Sequence, residues 1–460
     1  MEGLEATEIT LSNLRLDNWT FRLDSEFLKK EYQKNIQTIK SLSCGFFKLK
    51  ESINFMSGGA TPLGAEYSEI GIPFLRVQNI MQNYFNLNDV VYLNEKQDEE
   101  IKRSRLIEKD VLLTITGVSY GKSAVVSKEL EKANINQHSV KITLKENINP
   151  YFLSTFFNCK YGKLQSDKNV VGVTRPALDY EVIRNFFIPK LKIEFQNIIE
   201  STINNAYKIE LKSKTLYQQA EELLLETIGL KNYTPSQEKI NIKSFKESFL
   251  KTGRLDAEYY QLKYEEIEKC IKNFKLGFTR VSSKFSLSKE ISNRTEEFYN
   301  YTEISDVNIS DGSINYNELS VDELPDNGKM VLREGQIIIS KVRPYRGAIG
   351  IIRECPKNHI GSGAFTILNE ISDYKKEVLQ VLLRSKPYKE LIMKDNVGSS
   401  YPVVKDENIL NLIIPIIDFK TQEKIASLVQ ESFYLRKESE RLLTEAKEMV
   451  EREIEDGIYN

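Results

Sequence analysis

Two pairs of polar loops hold the residues of this chain best suited to chemistry. Thr116-Gly117-Val118-Ser119-Tyr120-Gly121-Lys122 stands 226 residues before Val342-Arg343-Pro344-Tyr345-Arg346-Gly347-Ala348. Gly172-Val173-Thr174-Arg175-Pro176 stands the same distance before Gly398-Ser399-Ser400-Tyr401-Pro402. Arg and Lys suit guanine edges or phosphates, Gln and Asn suit adenine, and the hydroxyls of Ser, Thr and Tyr suit phosphate or base, so the chemistry offered is contact with a nucleic acid. The candidates are Thr116, Ser119, Tyr120, Lys122, Thr174 and Arg175 in the first half, and Lys341, Arg343, Tyr345, Arg346, Ser399, Ser400 and Tyr401 in the second. Arg76, Gln78 and Asn79, matched by Glu303, Ser305 and Asp306, add a further group at a strand end, with Ser305 its candidate in the second half. An ordinary polar loop with turn glycines explains any one of these residues equally well.

Bond-making chemistry finds no such footing. Gly117-x3-Gly121-Lys122-Ser123 is one residue short of a phosphate-binding G-x4-G-K-[ST] loop and leads into a strand where a helix is needed. The second half keeps Gly347 but sets Arg346 before it and Ala348 after it, so a turn glycine between strands is the better reading. Asn149-Pro150-Tyr151-Phe152 is one proline short of the Asn-Pro-Pro-aromatic motif of amino-methyltransferases, no glycine-rich cofactor loop follows a strand elsewhere, and the segment reads as a helix start. His138 stands opposite Gly363, with no neighbouring Cys or carboxylate to form a dyad. The four cysteines Cys44, Cys159, Cys270 and Cys355 lie far apart, and His359 is the only other histidine, which argues against a zinc ribbon or a disulfide framework. The expectation is a non-catalytic chain with no metal and no cofactor.

The elements that position these loops occur twice. Val111-Leu112-Leu113-Thr114 answers to Ile337-Ile338-Ile339-Ser340, Pro189 to Pro415 and Gln196 to Gln422, while Arg22-Leu23-Asp24-Ser25-Glu26-Phe27 returns as Arg254-Leu255-Asp256-Ala257-Glu258-Tyr259. A period this long means two whole domains, each large enough for its own core. In the first half, β-branched runs at 72–77, 90–93, 110–115, 123–126 and 139–144 alternate with Gly, Asn and Asp, and a helix starts at Asn149-Pro150. The second half repeats that order through 299–301, 336–339, 348–352, 364–368 and a helix over 377–383. Short strands with a few helices predict an α+β fold.

After each globule a long helix is expected. Ile199, Thr202, Ala206, Ile209, Ser213, Leu216, Ala220 and Leu223 step by three and four. Ile425, Leu428, Ser432, Leu435, Ser439, Leu442, Ala446 and Met449 repeat them in the same register. This predicts an antiparallel coiled-coil pair about 50 Å long, with small residues at matching rungs. The expected boundaries are a first domain over 1–190, a helix over 191–230, a polar linker and second domain over 231–416, and a second helix over 417–460. Acidic Glu431, Glu438, Glu440, Glu445, Glu448, Glu451, Glu453, Glu455 and Asp456 alternate on the last helix with Arg436, Lys437, Arg441, Lys447 and Arg452, which fits a solvated face and a partner-docking face equally.

The composition, 460 residues with 40% hydrophobic and 28% charged, suits a folded cytoplasmic protein. No apolar run approaches the roughly 20 residues that a bilayer needs, and the N-terminus lacks a basic leader region. A net charge of -2 argues against bulk polyanion binding, so nucleic-acid contact must come from local basic surfaces.

Together, the repeated Arg-Leu-Asp-x-Glu-aromatic element, the Gly-x3-Pro and Pro-x6-Gln marks and the long helix after each globule resemble the specificity subunit of type I restriction-modification systems. The resemblance spans almost the whole chain and rests on order and repetition, since no one motif is specific. It implies two target-recognition domains held apart by antiparallel helices, reading double-stranded DNA without catalysing a reaction. It also implies two adenine methyltransferase subunits as partners, with a motor-nuclease subunit joining for cleavage. The half-sites would lie on opposite strands of an asymmetric target, their centres at most roughly 15 base pairs apart and best about one helical turn apart. Two alternatives stand beside this: a self-contained DNA methyltransferase or nuclease, and a coiled-coil scaffold without a DNA role.

Overall fold

The computed structural model describes residues 7–16, 18, 22–64, 66–172, 176–236, 238, 240–398 and 401–459. The chain divides into two compact units, Met1–Glu210 with Lys437–Asn460, and Leu211–Arg436. These bounds differ from those expected at 190, 230 and 416. Each long helix is cut between the units because each half of it belongs to the core of a globule.

In the first unit, a four-stranded antiparallel sheet runs Ile53–Gly58, Ser139–Leu144, Val111–Thr114, Ser123–Val125. A three-stranded sheet runs Val91–Leu93, Ile72–Leu75, Asn134–Ile135, its last pair parallel. Phe46–Lys48 pairs with Phe187–Pro189 and so joins the start of the globule to its end. The second unit repeats the plan. Phe285–Leu287, Phe365–Glu370, Ile337–Ser340 and Ile349–Ile351 form one sheet; Asn317–Ser320, Phe298–Thr302, His359–Ser362 and Gly328–Val331 form the other; and Phe278–Arg280 pairs with Ile413–Pro415. Even the register repeats, since Val111 faces Ile142 and Ile337 faces Leu368, each 226 residues on.

The central strands are apolar on both faces. One face of Val111–Thr114 joins the main core through Val111 and Leu113, and Leu112 joins a second cluster with Leu75, Ala124 and Ile135. Ile337 and Ile339 against Ile338 do the same in the second unit. The helix Pro150–Asn158 starts as expected, its Asn149 side chain accepting the Tyr151 N–H.

The long helices are Ile193–Thr227 and Phe419–Tyr459. They run antiparallel, with Ser439 Oγ donating to the Ala206 carbonyl at 2.8 Å and Ser213 Oγ donating to that of Ser432 at 2.7 Å. The small rungs Ala206, Ser213, Ala220, Ser432, Ser439 and Ala446 are all buried, as the heptad predicted. Most of the other half of the seam is displaced by one residue, whereas Ile209 packs against the core of the first unit where it was expected. Ile203, Tyr217 and Leu224 are buried where Thr202, Leu216 and Leu223 were expected, and Val429, Arg436, Leu443 and Val450 where Leu428, Leu435, Leu442 and Met449 were expected. Leu442 is buried as well, within the main core of the first unit. The stripe facing the core thus steps by four and then three from Ser213, Ser432 and Ser439.

The Pro-x6-Gln mark has a structural cause. Gln196 Oε1 accepts the Asn149 N–H at 2.9 Å while its Nε2 donates to the Leu191 carbonyl. Gln422 does the same with the Lys375 N–H, at 2.9 Å, and the Ile417 carbonyl. Each glutamine therefore ties the base of a long helix to the start of the neighbouring short one.

Candidate nucleic-acid interface

In each unit the two polar loops are joined edge to edge. The Gly117 N–H donates to the Pro176 carbonyl at 3.0 Å, Thr116 bridges Ala177, and Val171 bridges Ala177 in turn. The second unit repeats all three, with Arg343 N–H to the Pro402 carbonyl at 2.9 Å, Val342 to Val403 and Val397 to Val403. The framework beneath is also shared. Ile115 donates its N–H to the His138 carbonyl and Lys341 donates to that of Ala364, so His138 corresponds to Ala364 rather than Gly363.

The Arg-Leu-Asp element holds the second loop of each pair. Arg22 forms two hydrogen bonds with Asp24, both 2.8 Å, and its Nη1 donates to the Val170 carbonyl at 2.9 Å. Arg254 pairs with Asp256 in the same way and reaches the Asn396 carbonyl at 3.5 Å. The following aromatic lies between two cations, Phe27 beside Arg22 and Lys168, and Tyr259 beside Arg254 and Lys394. The Arg22 guanidinium holds the Asp24 carboxyl down at about 2, and Arg254 lowers Asp256 likewise.

A second buttress reaches the first loop of each pair from the short helices. Asn158 Nδ2 donates to the Ser123 carbonyl at 2.8 Å, and its Oδ1 accepts the Ser123 N–H at 3.0 Å. The residue 226 positions on, Arg384, is buried and donates to the carbonyls of Gly347, Ile349 and Ile309 and to the Tyr217 hydroxyl. Neither role is legible from residue type or spacing, because both act on backbone groups distant in the chain.

On this common frame the side chains differ. Thr116 is engaged with His138 Nδ1 at 2.9 Å, and Ser119 lends its carbonyl to Thr114 Oγ1 at 2.6 Å. Tyr120 donates to Asp167 at 2.7 Å under the Lys163 ammonium, and burial with that carboxylate pushes its phenol well above the usual tyrosine range. Lys122 is half-buried and has no side-chain partner among the described residues. In the second unit, Lys341 pairs with Asp406 at 3.3 Å, the Arg343 guanidinium lies 4.7 Å from the centre of the Tyr401 ring, and Tyr345 and Arg346 are exposed. Thr174, Arg175, Ser399 and Ser400 lie outside the described residues.

The third group stands apart from the joined loops. Arg76 donates to the Asp89 carbonyl at 2.6 Å, and Gln78 is hydrogen-bonded to the Asp89 carboxylate. Asn79 is fully buried, with its amide committed to Asn86, Asp89 and the Arg76 N–H, so it holds this turn together and cannot reach a ligand. Ser305 is exposed and donates to Glu303. With Glu303 where the first unit has Arg76, the two turns carry opposite charge. Among the described residues no group of His, Cys, Asp and Glu could hold a metal ion, and no helix is long and apolar enough to cross a membrane.

No family model matches the chain. It is 22% identical over 397 residues, 80% of its own length and 85% of the relative's, to the type I restriction enzyme MjaVIII specificity subunit of Methanocaldococcus jannaschii. Among solved structures it resembles a type I restriction-modification S subunit from M. genitalium, with 12% identity, 89% of this chain and 95% of that one covered, and a TM-score of 0.41. It also resembles the HsdS subunit from Thermoanaerobacter tengcongensis, with 12% identity, 90% and 96% covered, and a TM-score of 0.28.

Proposed function

We propose that this chain is a DNA-specificity subunit of a restriction-modification complex, reading a bipartite, asymmetric duplex target with one half-site for each unit. The observation that carries this reading is the pair of loop clusters built on one hydrogen-bond frame and filled with different side chains. The backbone contacts common to both units would fix each cluster against the duplex, and the unlike residues would read unlike bases. The relative matched over four-fifths of the chain is itself a specificity subunit, which supports the same reading.

The chain would position chemistry done by others. Two adenine methyltransferase subunits and a motor-nuclease restriction subunit are the partners proposed. The charged, exposed residues Arg441, Glu448 and Arg452 in the last part of Phe419–Tyr459 are the docking surface offered to them.

Selection from a random pool of duplexes by the full chain at low salt tests the reading, since weak electrostatic binding is strongest there. Two short, unlike sequences at a fixed separation are expected. A continuous or palindromic target, or no enrichment, refutes the proposal. Methyl transfer by the purified chain alone, free of any methyltransferase subunit, would refute its non-catalytic part.

A further inference from the structure

We infer that Arg343 is the guanine-reading residue of the second unit, held in a fixed plane by the ring of Tyr401. The inference rests on the DNA-reading function proposed above and deepens it by naming a base and the residue that selects it.

The backbone is the first observation. Arg343 sits at φ 47°, ψ 52°, a left-handed conformation that is uncommon for a residue with a side chain. The equivalent residue in the first unit is Gly117, which adopts φ 79° freely. The chain has placed a long cation where its own duplicate uses the residue that fits. The conformation is enforced from both sides: the Arg343 N–H is bound to the Pro402 carbonyl, and the Arg343 carbonyl accepts the Arg346 N–H at 3.0 Å across the turn Pro344–Arg346. Strain that the surroundings impose on a single residue is a mark of functional sites.

The side chain is the second observation. The arginines that buttress these loops are committed within the fold: Arg22 and Arg254 to aspartates, and Arg384 to three carbonyls and a hydroxyl. Arg343 makes no hydrogen bond from its guanidinium among the described residues. It lies over the ring of Tyr401, which is 55% exposed. A guanidinium that stacks on such a ring has its plane fixed and its edge of N–H donors left open. Guanine presents two acceptors, O6 and N7, side by side in the major groove, and a planar fork meets both at once. A phosphate needs charge but no fixed plane, and the exposed Arg346 on the same turn suits that contact. Among the described residues of the first unit, Gly117 has no side chain and Lys122 is a point charge that cannot form the fork.

Duplex selection with the full chain and its R343K, R343A, R343G, Y401F and Y401A variants tests this. In the wild type, one position of one half-site is expected to be fixed as guanine. R343A, R343G and R343K should each lower the preference for that base by about 5- to 150-fold while leaving every other position of both half-sites unchanged. Y401F should keep the preference and Y401A should weaken it at that position alone, as a positioning role requires. R343G should melt within about 2 °C of the wild type, because relief of the left-handed strain offsets the freedom glycine gains when unfolded. If R343A weakens all sequences alike and R343K restores them, Arg343 touches phosphate and the inference fails. It also fails if the selected target keeps its guanine in R343A, or if the wild-type target contains no guanine. A wild type that selects no sequence refutes the DNA-reading function itself, an outcome distinct from these.

Discussion

Replacing Leu224 with alanine should destabilise the protein far more than replacing Leu216, although the two leucines lie on one helix only eight residues apart. Leu224 is fully buried, packed in the main core of the second unit with Ile228, Ile425 and Val429, whereas Leu216 is half-exposed. Truncating a fully buried leucine removes its transfer free energy and leaves a cavity, together about 2 to 5 kcal/mol. Leu216 keeps part of its surface in water and packs against neither main core, so its truncation should cost under about 1 kcal/mol. For a unit of 226 residues, a loss of that size lowers the melting temperature by about 2 to 4 °C per kcal/mol. Scanning calorimetry on the full chain should therefore show a transition lowered by roughly 5 to 15 °C in L224A and by no more than about 4 °C in L216A. Equal shifts, or a larger one in L216A, would return the seam to the phase read from the heptads and refute the packing described above.

Three further outcomes are expected. Q196A and Q422A should each destabilise by about 1 to 3 kcal/mol in urea titration, because a backbone N–H at a short-helix start loses its acceptor; near-silent behaviour of both would mean that water replaces the amide. The depressed Asp24 carboxyl contributes stability that is present above its ordinary value of 3.8 and lost as pH falls through about 2. The gap in melting temperature between wild type and D24N should thus hold constant near neutrality and close between about pH 4 and 2; a gap that widens on acidification would show the sign to be wrong. Exchanging the joined loops, 116–122 with 342–348 and 172–176 with 398–402, should exchange the two half-sites in duplex selection, and retention of the original order would show that bases are read elsewhere.

The duplication was legible because its marks are residues that fix a backbone path, and these stayed at a constant spacing while the loops diverged. The cause of each mark was not legible. Gln196, Arg22 and Asn158 act on carbonyls and N–H groups, which every residue has, so nothing in the sequence singles out their partners. The seam was misphased for a related reason. Leu216 and Tyr217, Leu223 and Leu224, Leu428 and Val429, and Leu442 and Leu443 are apolar neighbours, so either phase satisfies the pattern. Leu435 against Arg436 favours the wrong one, because the arginine becomes acceptable in a core only through Asp311, 2.9 Å from it and 125 residues upstream. Strands such as Asn134–Ile135 are too short for any periodicity to register. Arg343 is the most telling case. As a letter it is one more loop cation, opposite a glycine that looked like a simple turn residue. The left-handed backbone is common to both, so one turn carries no side chain at Gly117 and a guanidinium at Arg343. The turn itself admits either residue, so what distinguishes Arg343 from a loop cation is the Tyr401 ring 4.7 Å from its guanidinium, a contact between residues 58 positions apart that no local pattern announces.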